Sequence, residues 1–199
     1  MSRALKWSST TETPLFDHAF LDRGQSATRD PIRTLDGYKK VKGIPTMNIT
    51  GMVHININCS DYQRSKAFYE MLGFREYWPV PETNTEEVAA AVGMPKYQVE
   101  GALMALQNAA QPTVIDLLEW KSPRDDSPPY ANLYRPGLAR IALSSADIDA
   151  GYAYLVEQGV EVLSAPVNVH TSETSYARFF CFKDPDGTFL ELVQVITAE

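Results

Sequence analysis

Cysteine is scarce in this chain of 199 residues: Cys59 and Cys181 are the two it has. Each lies in a β-prone stretch, so neither a disulfide framework nor a cysteine-based zinc site is supported. Long apolar runs are missing too. Nothing approaches the roughly 18 residues that a membrane span needs. Positive charge is in deficit, with 18 Lys and Arg against 25 Asp and Glu and a formal net charge of −7. Without a basic run or stripe, nucleic acid is not an expected partner. The opening stretch MSRALKWSSTTETPLFDHAF lacks an apolar segment followed by a small-residue cleavage site, which argues against a secretory signal. The composition reads as a soluble cytoplasmic protein with reduced, buried thiols. It fits one compact domain or two small modules sharing a core.

What is present divides unevenly. Residues 1–47 are rich in Ser, Thr, Asp and Arg and show no sustained helical or strand period. They read as an extension without its own core, although Trp7, Leu15, Phe16, Phe20 and Leu21 suggest that it packs on something. His18 lies in it and is assigned no role.

From Gly51 the chain repeats itself. GMVHININCSDYQ at 51–63 matches GLARIALSSADID at 137–149, an offset of 86 that pairs Gly51 with Gly137, Asp61 with Asp147 and Gly73 with Gly159. Each half reads as strand, helix, glycine stop and further strands. In MVHININ, Val53, Ile55 and Ile57 share one face, and His54, Asn56 and Asn58 the other. Ser60 or Asp61 can cap the first helix, and Asp147 the second. The first module spans 48–122, a Pro- and Asp-rich linker 123–136, and the second module 137–197. PETNTEEVAAAVGMP is an insertion in the first module, expected to form a short helix or a lid. Two βαβββ units side by side predict an α+β fold: a curved eight-stranded mixed sheet around a cleft, with helices outside.

HININCSDYQRSKAFYEMLGF and DPDGTFLELVQ give the chain a resemblance to the vicinal oxygen chelate superfamily, which includes glyoxalase I, bleomycin-resistance proteins and extradiol dioxygenases. The resemblance covers about residues 50–196 and is specific for the fold rather than for the reaction. In metal-dependent members it implies a ligand on the first strand, here His54, and an acidic ligand on the last strand of each module. The last of these is Glu191; in TVIDLLEW, Asp116 rather than Glu119 matches it, because Asp116 shares its face with Leu118 and Trp120. The remaining position, the mate of His54, is Arg140. A guanidinium stays protonated and cannot ligate a metal, so the two-histidine, one-carboxylate triad of iron oxygenases is missing.

Two chemistries stay open at this point. His54, Asp116 and Glu191 can hold a divalent ion, or Arg140 can stand in for the metal and bind a substrate oxygen while a carboxylate moves a proton. His54, Arg140 and Glu191 are the catalytic candidates. Asn56 and Trp120 are expected to contact substrate. If Lys183 pairs with Thr188 across the DPDG turn, Phe180 lies opposite Glu191, with Arg178 and Tyr176 further along that face. His170 reads as a loop residue. No nucleotide or organic cofactor is implied. The resemblance implies an enzyme of lyase, isomerase, epimerase or cyclase type acting on a small oxygenated molecule, in a homodimer. The alternative is a metal-free binder like the bleomycin-resistance proteins.

Overall fold

A computed structural model describes residue 49 and residues 51–109, 113–170 and 175–197. The extension, with Trp7, Leu15, Phe16, His18, Phe20 and Leu21, lies outside the described residues. The first module runs β1 (Ile55–Cys59), α1 (Tyr62–Met71), β2 (Phe74–Pro79), α2 (Glu86–Val92), β3 (Gln98–Leu106) and β4 (Val114–Ser122). The second runs β5 (Ile141–Ser144), α3 (Ile148–Glu157), β6 (Val167–His170), β7 (Ser175–Lys183) and β8 (Phe189–Thr197). The fold is therefore α+β and built from tandem βαβββ units. The eight strands hydrogen-bond as two four-stranded sheets, ordered β1-β4-β3-β2 and β5-β8-β7-β6. In each, the first strand is an edge and runs parallel to the last, while the other pairs are antiparallel.

The repeat is visible in the local chemistry. Asp61 caps α1 by accepting from Arg64 N at 3.0 Å, and Asp147 caps α3 by accepting from Ala150 N at 3.0 Å. Gly73 and Gly159 follow the two helices with φ of +99° and +74°, a region that favours glycine. The insertion forms α2, capped by Thr85 and stopped by Gly93.

One core serves both modules. Ile57, Tyr69, Phe74, Met104, Ile115 and Leu117 of the first meet Ile148, Leu155, Phe180, Phe182 and Leu190 of the second. These are the faces of the sheets on which α1 and α3 lie. The β7–β8 loop clasps the first module: Asp186 accepts from Ser60 N at 3.0 Å, from the Ser60 hydroxyl and from Arg64 Nη2 at 2.5 Å. Tyr69 Oη donates to the buried Asp184 at 3.0 Å. Among the described residues, no helix is long and apolar enough to cross a membrane.

Candidate functional site

Alternation along each strand puts a second set of side chains on the faces turned away from that core. On the first sheet these are Asn56 and Asn58 of β1, Asp116, Leu118 and Trp120 of β4, and Leu103 of β3, with His54 just ahead of β1. His54 Nε2 stands 4.0 Å from Asp116 Oδ2. Asn56 Nδ2 donates to the Asp116 carbonyl at 3.0 Å, and Trp120 Nε1 donates to Asn58 Oδ1 at 2.9 Å. The Asp116 side chain is 18% exposed, and its Oδ1 is buried with no hydrogen-bond partner. Burial pushes its pKa up, against the opposing pull of His54 and Asn56. Tyr77, at the bulge between Glu76 and Trp78, is close enough that the Asp116 charge, second to burial, raises its hydroxyl. Glu119 lies on the helix side, where it accepts from Tyr62 N at 2.9 Å and pairs with Lys121 and Arg124.

The second sheet carries the other group. Arg140 Nε meets Glu191 Oε2 at 2.5 Å. Glu191 is 8% exposed, whereas the Arg140 side chain is 43% exposed. Cys181 Sγ lies 3.8 Å from the same carboxylate oxygen. Burial, followed by the charge of Glu191, pushes the Cys181 thiol up, so it is a packing thiol rather than a nucleophile. Burial likewise raises Cys59 to about 12.

The hairpin register differs from the one expected and turns Tyr176, Arg178 and Phe180, the expected substrate contacts, to the opposite face from Glu191. Lys183 pairs with Phe189, not Thr188, and Cys181 rather than Phe180 lies opposite Glu191. Asp184 causes the shift. Its side chain accepts from Asp186 N at 3.0 Å and Thr188 N at 2.8 Å, and its own N donates to Thr188 O, which closes a loop one residue longer than DPDG. A one-residue slip exchanges the faces of a strand. Phe180 therefore sits in the core, edge-on to Tyr152. Arg178 turns to the helix side, in a fork on Asp149 at 2.5 and 2.8 Å. Tyr176 is half-buried, with its ring 5.6 Å from that of His170. His170 is the last residue of β6 rather than part of a loop. The residues that sequence reasoning missed are Cys181, Tyr77 and Tyr97, whose ring packs against Trp120 at 4.8 Å with the planes tilted by 46°. A five-residue reading of the DPDGT turn would have found the first.

The structure thus brings together His54, Asn56 and Asp116 on one sheet, and Arg140 and Glu191 on the other. Among the described residues no hydrogen bond or ion pair links the two groups.

These tandem modules and the paired strand-end positions define a glyoxalase-type scaffold. The model of the Glyoxalase/Bleomycin resistance protein/Dioxygenase superfamily matches residues 51–192, and the chain belongs to that superfamily. It is 32% identical over 151 residues to the uncharacterized protein YwkD of Bacillus subtilis, a match covering 74% of this chain and 99% of that one. Among solved structures, a glyoxalase family protein from Bacillus cereus superposes with a TM-score of 0.64 at 18% identity, over 77% of this chain and 99% of that one. A glyoxylase/bleomycin resistance protein/dioxygenase domain from Frankia sp. EAN1pec gives 0.52 at 16% identity, over 73% and 98%. At these identities the structures share the fold.

The family-type divalent ion does not fit this donor set. Among the described residues no three His, Cys, Asp or Glu side chains converge to hold one. The position that pairs with His54 carries a cation already engaged with Glu191.

Proposed function

We propose that the chain is an enzyme of lyase or isomerase type, acting on a small substrate with a carboxylate or an enolisable carbonyl. In it the Arg140 guanidinium does the work of a metal. The observation that carries this reading is the Arg140–Glu191 pair. Glu191 is buried and lies 2.5 Å from Arg140 Nε, which anchors the guanidinium. The Arg140 side chain is 43% exposed, which leaves guanidinium donors within reach of a ligand. That is a preset fork for a carboxylate or enolate oxygen.

Asp116 is the proton carrier in this proposal. Its raised pKa makes it a stronger base than an ordinary carboxylate. A proton leaves the carbon beside the substrate carbonyl for Asp116, and the C–H electron pair forms the new C=C bond. The carbonyl pair moves onto oxygen, where the Arg140 fork holds it. His54 lies beside Asp116, with Nε2 4.0 Å from Oδ2.

The helix faces of both sheets share one core, so the His54–Asp116 and Arg140–Glu191 groups stand on outer faces of one chain. This supports a homodimer in which the first sheet of one copy completes the second sheet of the other. The test is solvent deuterium exchange at C3 of 2-oxobutanoate, followed by NMR. The proposal expects exchange faster than in buffer, lost in both Arg140→Ala and Asp116→Asn. Binding of the acid without exchange would favour a sequestering protein instead. Exchange unaffected by Arg140→Ala would end the idea that the guanidinium replaces a metal.

A further inference from the structure

Cys181 is no nucleophile, yet it stands against the group that anchors Arg140. Three side chains form one row across the outer face of the second sheet: Ala142 of β5, Glu191 of β8 and Cys181 of β7. The repeat supplies an internal comparison. The matching row of the first sheet is Asn56 of β1, Asp116 of β4 and Leu103 of β3. An acid occupies the centre of both rows, but the flanks are exchanged. In the first row the β1 flank is an amide and the β3 flank is aliphatic. In the second the β5 flank is Ala142, which has no side-chain donor, and the β7 flank carries a thiol.

A buried carboxylate needs donors, and Glu191 is 8% exposed. Arg140 Nε reaches its Oε2 at 2.5 Å from the β5 side. Cys181 Sγ reaches the same oxygen at 3.8 Å from the β7 side. Among the described residues no other side chain donates to this carboxylate. Lys183, two residues further along β7, is taken up by Glu161 at 2.6 Å. Cys181 is itself 8% exposed, and burial, followed by the Glu191 charge, raises its thiol so that it keeps its proton. A carboxylate paired with a guanidinium offers acceptors only, so the S–H is the donor of this contact. An S–H···O contact is weak by itself, but this one acts at the oxygen that anchors the guanidinium.

We propose that Cys181 is a positioning residue. Its S–H holds the Glu191 carboxylate from the β7 side while Arg140 holds it from the β5 side, and this second hold keeps the guanidinium aligned for a substrate oxygen. The inference rests on the reading that Arg140 binds substrate, and it adds the residue that orients Arg140 through Glu191. The leucine that the first module has in this place fills space without offering a donor. With the donor gone, the carboxylate is tied from one side only and can turn about its side-chain torsions, and Arg140 turns with it.

The test compares Cys181→Ala with Cys181→Ser in the full chain, two variants that differ by one hydroxyl. The first readout is the Arg140 Nε–H resonance, identified by its loss in Arg140→Ala and recorded without ligand. The second is the concentration dependence of 2-oxobutanoate deuterium exchange. Cys181→Ala is expected to shift the Nε–H resonance and to speed its exchange with solvent. It should also lower the maximum rate of 2-oxobutanoate exchange about three- to fivefold, with a smaller change in KM, because the aligned donors hold the enolate oxygen rather than the ketone. Cys181→Ser should restore both readouts, since a hydroxyl is the stronger donor. Circular dichroism checks that each variant is folded, and if Cys181→Ala misfolds, Cys181→Val serves as the variant without a donor. A Cys181→Ala chain with wild-type resonance and wild-type exchange would overturn the proposal. So would a Cys181→Ser chain that behaves like Cys181→Ala, which would reduce the thiol to its volume. The resonance is read without 2-oxobutanoate, so a wild type that exchanges no deuterium ends the proposed reaction while the resonance still decides the role of Cys181.

Discussion

Position 140 carries a cation where the matching position of the first module carries His54. A histidine there would offer a lone pair; the arginine offers a positive charge and five donors. Glu191 is committed to that charge, at 2.5 Å, and Cys181 lies against the same carboxylate. Arg140→Ala is therefore expected to weaken a carboxylate ligand by about 2 kcal/mol, roughly thirtyfold, in calorimetric titration. The substitution also strands a buried carboxylate, so the same variant should melt at a lower temperature. Asp116 makes the opposite prediction. Its folded pKa lies above the unfolded value, so the native state binds its proton more tightly. Its contribution is fully present below the unfolded pKa and is lost as pH rises through the folded one. Asp116→Asn removes the buried charge and should raise Tm at pH 7 by about 2–4 °C. The gain should vanish in melts below about pH 4, where the wild-type carboxyl is already neutral.

At the scale of elements, the helices and their stops were legible because their causes are local. Asp61, Asp147, Gly73 and Gly159 act within a turn of their own positions. The β7–β8 hairpin was legible as a hairpin but not in its register, because one buried carboxylate, Asp184, sets the loop length. Neighbouring Asp186 does a different job. Burial raises its pKa, but the Ser60 donors and Arg64 outweigh burial and hold it below the usual carboxylate range. A depressed carboxylate contributes stability above its unfolded pKa and loses it as pH falls through the folded one. Asp186→Ala should cost about 1–3 kcal/mol at pH 7 in urea denaturation, and the difference from wild type should shrink below about pH 4. Ser60 and Arg64 sit 126 and 122 residues from Asp186, a separation no local pattern reveals.

At the scale of the whole molecule, the proposed chemistry requires the His54–Asp116 and Arg140–Glu191 groups to meet. If they meet across a dimer, Asp116→Ala and Arg140→Ala chains each fail alone, yet a mixed dimer contains one site with both residues intact. Mixing the two variants under conditions of subunit exchange should recover about a quarter of the wild-type response to 2-oxobutanoate. No recovery, in a mixture shown to exchange, would place both residues in one site of one chain. Sedimentation of a chain lacking residues 1–45 tests the extension. A shift toward monomer is expected if its apolar residues cover a subunit contact, and an unchanged particle would assign it no role in assembly.

Repetition, cap residues and turn chemistry determined by themselves that the chain folds as tandem βαβββ modules, and they placed His54, Asp116, Arg140 and Glu191 at equivalent strand positions. Those signals act over a few residues, or are written twice, and can be read from order alone. Tertiary structure decided the rest: that Arg140 pairs with the buried Glu191, that Asp116 has an oxygen with no partner, and that Phe180 belongs to the core while Cys181 faces Glu191. Each depends on burial or on a register set by a distant group, and a linear pattern records neither the distance between two strands nor the face a slip of one residue exposes.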